Sequence, residues 1–324
     1  MSVLRKIVDK ATRNLETSYD QESQEKGFNL FSTGELSTPG LLPVCGNMNC
    51  RTGWIRLWRR RATPRFEGAW ACSEQCLEVM LRTALDRESV LRAASDNVVE
   101  NYRHRVPLGL LLYSQGAITE EQLKEALEAQ REARDAGRPV RRIGRWLIQS
   151  KYLEESQLAT ALSVQWNCPV YSAERFDQKQ ATYFLPRLFV ESYNLLPLRR
   201  AGSGQLLVAY EERFDHRVNL ALERMHRTQV VAGVMAPSQY RRAHGQVMNA
   251  AYPKLRLVEV ASRDVMIRSM VKRIEELQPM DATLVCIHDY FWLRMWGTTH
   301  RDVESTEDFI AIEREFKPEN RWND

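Results

Sequence analysis

The chain has 324 residues, 44% of them hydrophobic and 27% charged, with a formal net charge of +4. That length exceeds the usual single domain and predicts two or three compact units. So small a charge does not by itself call for nucleic acid or an anionic membrane as partner. No run of about 20 apolar residues, as a membrane helix needs, occurs anywhere, and the polar start Met1-Ser2-Val3-Leu4-Arg5-Lys6 lacks a signal core. Six cysteines in a chain of this size do not read as a secreted disulfide framework. The expected address is the cytoplasm, with no membrane insertion.

Residues 1–40 are rich in Gln, Glu, Ser and Thr and close on Ser37-Thr38-Pro39-Gly40. They read as a mobile leader with one short amphipathic helix from Val3 to Leu15. Residues 41–100 hold two cysteine pairs. Cys45 and Cys50 enclose a Gly/Asn turn that lets both sulfurs face one ion; Cys72 and Cys76 enclose Ser73-Glu74-Gln75. Two such pairs, 21 residues apart, fit a tetrahedral four-thiolate zinc site. The alternative is four unlinked buried thiols in a reducing compartment. Ser73 suits a helix N-cap, and Leu77, Met80 and Leu81 give that helix an apolar stripe. Helix-start amides would favour the thiolates. Four protein sulfurs leave no open position, so the ion is expected to be structural. Knuckle, hairpin and a helix-borne ligand pair resemble a treble-clef zinc finger.

Between the pairs, Arg51 to Arg65 carries six arginines, Trp54 and Trp58, and no acidic residue. This composition suits a nucleic-acid surface, with arginine on phosphate and tryptophan on bases. It equally suits solvated charges that offset the net negative charge of a four-thiolate site, which is the favoured reading.

From 101 to 172 the pattern is helical and repeats itself. An offset of 35 carries Leu108-Gly109 onto Ile143-Gly144, Leu123 onto Leu158, Leu127 onto Leu162 and Gln130 onto Gln165. Gly116 falls opposite Lys151. Each copy predicts a helix–turn–helix pair, with Thr119 and Gln122 forming a capping box in the first copy and Glu154 in the place of Thr119 in the second. The leucines fall on one face at helical spacing, which core packing alone explains.

Residues 173–252 read as a small α/β subdomain. Strands Tyr193–Leu198 and Gln205–Tyr210 form a hairpin, followed by a helix from Asp215, a strand Gln229–Met235 and a helix opened by Pro237-Ser238. Residues 253–324 read as an α/β extension. It has a strand Leu255–Ala261, a helix capped by Ser262, a strand Thr283–His288, the aromatic run Tyr290–Trp296 and a loose polar end from Lys317.

The stretch from His104 to Tyr252 resembles the N-terminal domain of type II secretion and type IV pilus assembly ATPases. The resemblance rests on Leu108-Gly109-Leu110-Leu111-Leu112-Tyr113-Ser114-Gln115-Gly116-Ala117-Ile118-Thr119. It continues in Tyr193-Asn194-Leu195-Leu196-Pro197-Leu198 with Gln205-Leu206-Leu207-Val208-Ala209-Tyr210. It implies a helical subdomain followed by a small α/β subdomain, docking onto secretion or pilus machinery. Some family members bind cyclic di-GMP through tandem Arg-Leu-Gly…Gly…Leu…Gln motifs. Position by position this implies Leu108, Gly109, Gly116 and Gln130 in the first copy, and Arg142, Ile143, Gly144 and Gln165 in the second. Pro107 stands where the first arginine would be, Lys151 replaces the second copy's later glycine, and Arg105 is a nearby substitute.

No G-x-x-x-x-G-K-[ST] phosphate loop occurs, so no ATPase activity is expected. The histidines 216, 226 and 244 read as surface or core residues. His288-Asp289 has no nucleophile or second carboxylate beside it in sequence. The expected architecture is α+β and multidomain: a small zinc finger, a helical repeat subdomain, a small α/β subdomain and an α/β C-terminal extension. The expected function is that of a non-enzymatic adaptor or regulatory protein with a protein partner, responsive to cyclic di-GMP. The alternative is a zinc-dependent nucleic-acid-binding regulator using Arg51–Arg65.

Overall fold

The computed structural model describes residues 44–51, 64–99, 105–298 and 303–313. The leader with its expected helix, the arginine-rich stretch 52–63 and the polar end beyond 313 lie outside the described residues.

A short antiparallel ribbon, β1 (Arg65–Phe66) and β2 (Ala69–Trp70), opens the described fold. Its turn residues Glu67 and Gly68 both have positive φ, the twist a two-residue hairpin requires. Helix α1 (Glu74–Val99) follows. Ser73 caps it as expected: its Oγ accepts from Cys76 N at 3.2 Å and its carbonyl from Leu77 N at 3.0 Å.

Four helices form the repeat: α2 (Leu108–Ser114), α3 (Glu120–Asp135), α4 (Ile143–Gln149) and α5 (Glu155–Trp166). The 35-residue offset holds in three dimensions. Leu112 and Leu147 are buried alike, as are Ile118 and Leu153, and Ala126 and Ala161. Thr119 and Gln122 exchange both bonds of a capping box, and Gln157 accepts from Glu154 N at 2.9 Å in the second copy. Gly116 has φ 69° and Lys151 φ 60°. The lysine therefore keeps the left-handed turn that its glycine counterpart adopts, at a steric cost glycine avoids. The copies pack crosswise, α3 on α4 and α2 on α5, as a pseudo-two-fold pair.

The next unit contains β3 (Val170–Tyr171), α6 (Gln178–Phe184), α7 (Arg187–Tyr193), β4 (Leu195–Arg200), β5 (Leu206–Tyr210), α8 (His216–His226), β6 (Val230–Met235) and α9 (Pro237–Met248). Its sheet order is β3-β6-β5-β4, with β4 and β5 the expected antiparallel hairpin. Tyr193, expected to open a strand, instead ends α7, and Asn194 at φ 48° turns the chain into β4. Pro197 sits on the edge strand β4, beside a register shift, where no ladder donor is lost.

The last unit runs β7 (Lys254–Val260), α10 (Arg263–Leu277), β8 (Asp281–Ile287), β9 (Tyr290–Trp296) and β10 (Thr306–Glu313). Its sheet order is β7-β10-β9-β8; β10 lies parallel to β7 and antiparallel to β9. The sheet is covered on both faces. On one, Leu284, Leu293, Met295 and Phe309 pack against α10 and against the α1 stripe Leu77, Leu81, Ala84 and Leu85. On the other, Val285, Ile287, Trp292 and Ile310 join the core of the preceding unit through Phe189 and Leu222. Two-sided burial explains why β9 reads as an apolar run interrupted by Arg294 rather than as an alternation.

Two buried charges tie these layers together. Arg294, fully buried, donates to Asp308 from Nε and Nη2 at 2.7 Å each, and from Nη1 to the Phe184 carbonyl at the end of α6. Trp292 Nε1 fills the remaining place on Asp308 Oδ1. Glu88, on α1 and fully buried, accepts from Cys286 N at 2.9 Å and from Arg224 of α8 at 3.0 Å.

Candidate binding cleft and metal centre

The two cysteine pairs converge. Backbone placement begins with the knuckle: Gly46 N donates to Trp70 O at 2.8 Å and Cys50 N to Asn47 O at 2.9 Å, which lays the first pair against β2. The second pair brackets the start of α1: Cys72 precedes the Ser73 cap and Cys76 lies in the first turn. All four sulfurs lie within 4.8 Å of one another, and Cys72 Sγ is 3.5 Å from both Cys50 Sγ and Cys76 Sγ. Asn47 Nδ2 donates to Cys76 Sγ at 3.3 Å. Without a cation, burial and then the neighbouring sulfurs push the Cys72 thiol up to about 12. The cluster is positioned to bind a metal ion. Of the arginine segment beside it, Arg51 and Arg65 are described: Arg51 is exposed, whereas Arg65 lies over Trp70 at 5.0 Å and donates to Gly68 O, so that side chain is taken up by the ribbon.

The second site is a cleft of about 430 Å³ between the repeat copies. It is lined by Leu108, Gly109 and Gln130 of the first copy, and by Arg142, Ile143, Gly144 and Gln165 of the second. Seven of the eight residues carried over from the family motif thus face one cavity; Gly116 does not line it. The two glycines have a packing reason. A Cβ on Gly109 would stand 2.7 Å from Leu123 Cδ1, and one on Gly144 would stand 2.8 Å from Leu158 Cδ1, so each glycine admits the leucine of its own copy's second helix. The two glutamines are reciprocal. Gln130 Nε2 donates to Arg141 O and Gln165 Nε2 to Val106 O, each at 2.7 Å, and the two acceptors are again 35 residues apart. Each copy therefore ties down the strand of chain that enters the other.

Polar groups from outside the repeat close the cleft. The loop after β5 contributes Glu212 and Arg213 to its wall. Glu212 pairs with Arg142 at 3.2 Å; Glu211, buried, receives both bonds of Arg145 Nη2 at 2.8 Å. Phe214, which follows Arg213, packs against Trp166 with tilted rings and centroids 5.1 Å apart. Arg105, the nearby substitute, lies 4.0 Å over Trp166 and donates to Gln165 O, which makes it a brace for the α5 end. Sequence reasoning missed Arg145, Glu211, Glu212 and Arg213. No motif carries them, because the acids and Arg213 come from a loop about 70 residues away; Arg145 alone had a signal, standing in helical register one turn after Arg142.

Two of the described histidines, His226 and His288, are engaged through their ring nitrogens. His226 is buried with Nε2 at 2.7 Å from Phe184 O. His288 Nε2 meets Asp215 at 2.7 Å while Arg217 Nη1 lies 3.2 Å from its Nδ1, so both ring nitrogens are engaged and neither faces a nucleophile. Burial pushes the Cys168 thiol up to about 11 and Cys286 to about 12, the behaviour of inert core thiols. Among the described residues, no helix is long and apolar enough to cross a membrane.

No protein-family model matches the chain, and no curated protein matches it. Among solved structures it is similar to MshE with cdg, at 25% identity over 44% of this chain and 99% of that one, with a TM-score of 0.36. It is also similar to the N-terminal domain of XpsE, at 12% identity over 43% and 92% of the two chains, with a TM-score of 0.33.

Proposed function

We propose that the chain is a non-enzymatic regulatory adaptor whose tandem helical repeat takes a cyclic dinucleotide, cyclic di-GMP, and whose cysteine cluster holds a structural zinc ion. The observation that carries the ligand reading is the convergence of the repeat residues on one pseudo-two-fold cleft. A cyclic dinucleotide has two-fold symmetry itself, two phosphates and two flat bases. Such a ligand suits paired glycines, apolar leucine walls and an arginine at a helix start. The cleft volume falls within the ordinary range of small-ligand sites, about 300–1,000 Å³. Arg142 is the phosphate partner, and it already holds Glu212. A bound phosphate therefore exchanges one anion for another at that guanidinium, which links occupancy of the cleft to the docking of the α/β unit.

Zinc is supported by the donor set. A zinc–sulfur distance of about 2.3 Å gives tetrahedral edges of about 3.8 Å, inside the 3.5 to 4.8 Å span of the sulfurs. The ion would be held by Cys45, Cys50, Cys72 and Cys76 and would supply cross-linking of knuckle and helix. The nucleic-acid alternative rests on Arg51–Arg65, of which residues 52–63 lie outside the described residues.

Isothermal titration of the protein with cyclic di-GMP, with GTP as control, tests the ligand reading. Saturable, selective binding at micromolar concentration or tighter is expected, weakened tenfold or more by Arg142→Ala. Absence of saturation at millimolar ligand, or an Arg142→Ala protein that binds like wild type, would overturn it.

A further inference from the structure

The cleft is symmetric in backbone and asymmetric in charge. Where the second copy has Arg142, the first has Pro107, and the two positions share one conformation: φ −67° and ψ 153° at Arg142, φ −56° and ψ 138° at Pro107. One turn further on, Arg145 of the second copy corresponds to Leu110 of the first. Two phosphates of one ligand would thus meet cations in one half of the cleft and none from the repeat in the other.

The loop after β5 is complementary to this imbalance. It presents acids to the half that has arginines: Glu211 to Arg145 and Glu212 to Arg142. It then presents Arg213 to the cleft. Chain connectivity places that arginine beside the first copy. Gln165 holds the carbonyl of Val106, the residue before Pro107; Trp166 follows Gln165; and Phe214, which follows Arg213, packs with tilted rings against Trp166 and against Tyr210, the latter at 4.9 Å. Arg213 is exposed and has no hydrogen bond or ion pair among the described residues, so its guanidinium is available. An arginine that lines the cleft with its head unengaged suits an anionic oxygen of a ligand.

We infer that Arg213, supplied by the α/β unit, is the phosphate-binding residue of the first half of the cleft, in the role that Pro107 denies to the repeat. This rests on the cyclic dinucleotide reading above. It makes the binding site a joint product of two units, the repeat and the β5–α8 loop.

Titrating wild type, Arg213→Ala, and Arg213→Ala combined with Pro107→Arg with cyclic di-GMP tests the inference. Circular dichroism is recorded for each to confirm the native helix content. Arg213→Ala is expected to weaken binding tenfold or more. Adding Pro107→Arg, at a backbone position where its repeat counterpart already carries arginine, is expected to recover most of that loss. Wild-type binding together with an Arg213→Ala protein within twofold of it overturns the inference and leaves the cleft reading standing. A wild type that does not bind overturns both.

Discussion

Burial, and then the sulfurs packed within 4.8 Å of one another, keep the proton on the metal-free Cys72 thiol and push it up to about 12. Metal binding must expel those protons, so affinity is highest at alkaline pH and falls as pH drops. One equivalent of zinc per chain is expected, retained at pH 8 and released on acidification or by excess chelator, with the melting temperature falling in step. Cys72→Ser should lose the ion; metal analysis of the purified variant decides it. The cysteine spacing was legible because a tetrahedral site dictates its own pattern. Lys151 was legible as a departure from the repeat, but not as a residue that preserves the turn at φ 60°. Backbone conformation at one position leaves no mark on composition. Arg213 was silent for a different reason: an arginine in a polar loop looks like any solvated charge until the fold sets it on the wall of the cleft that Pro107 also lines.

Helix pairs make the same point with larger units. Gly144 and Gly109 occupy equivalent sites, yet the leucines they admit differ. Leu158 is buried, with two methyls at 2.8 and 3.2 Å from where a Gly144 Cβ would be, whereas Leu123 is half-buried and meets a Gly109 Cβ with one methyl at 2.7 Å. Alanine gains about 1 kcal/mol of helix propensity at either position. Overpacking costs about 1–3 kcal/mol where the neighbour cannot move. Gly144→Ala should therefore lower stability to urea, and Gly109→Ala should lower it less, because Leu123 can swing toward solvent. The repeat helices were readable since 3.6-residue periodicity and capping boxes recur at a fixed offset. Helices α6 and α7 were not. Each has seven residues, they are separated by Pro186, and neither is long enough for a periodic stripe to emerge. Strand β10 also escaped, since Thr306–Glu313 mixes buried Asp308 and Glu307 with apolar residues, and only Arg294 and Arg273 explain why those acids can be inside.

Across the molecule, the element that carries the second cysteine pair is bound to strands almost 200 residues later. Glu88 is the staple: its carboxylate satisfies Cys286 N, Arg224 and Arg87 at once. Glu88→Ala orphans a buried amide and leaves Arg224 uncompensated, a loss of about 3–5 kcal/mol in chemical denaturation. Arg82→Ala, which removes an exposed pair with Asp264, is the control and should change little. The sequence gives no hint of this union, because the apolar stripe of α1 names no partner and long-range pairing is not written into either segment. On the ribosome the same arrangement imposes a wait. At about 5–20 residues per second, the 198 positions between Glu88 and Cys286 take roughly 10–40 s to synthesise. During that interval the cysteine cluster can already close on an ion while Leu77, Leu81 and Leu85 still face water. The nascent chain thus carries a metal-capped helix with an uncovered greasy side, a natural client for chaperones until the final sheet arrives to cover it.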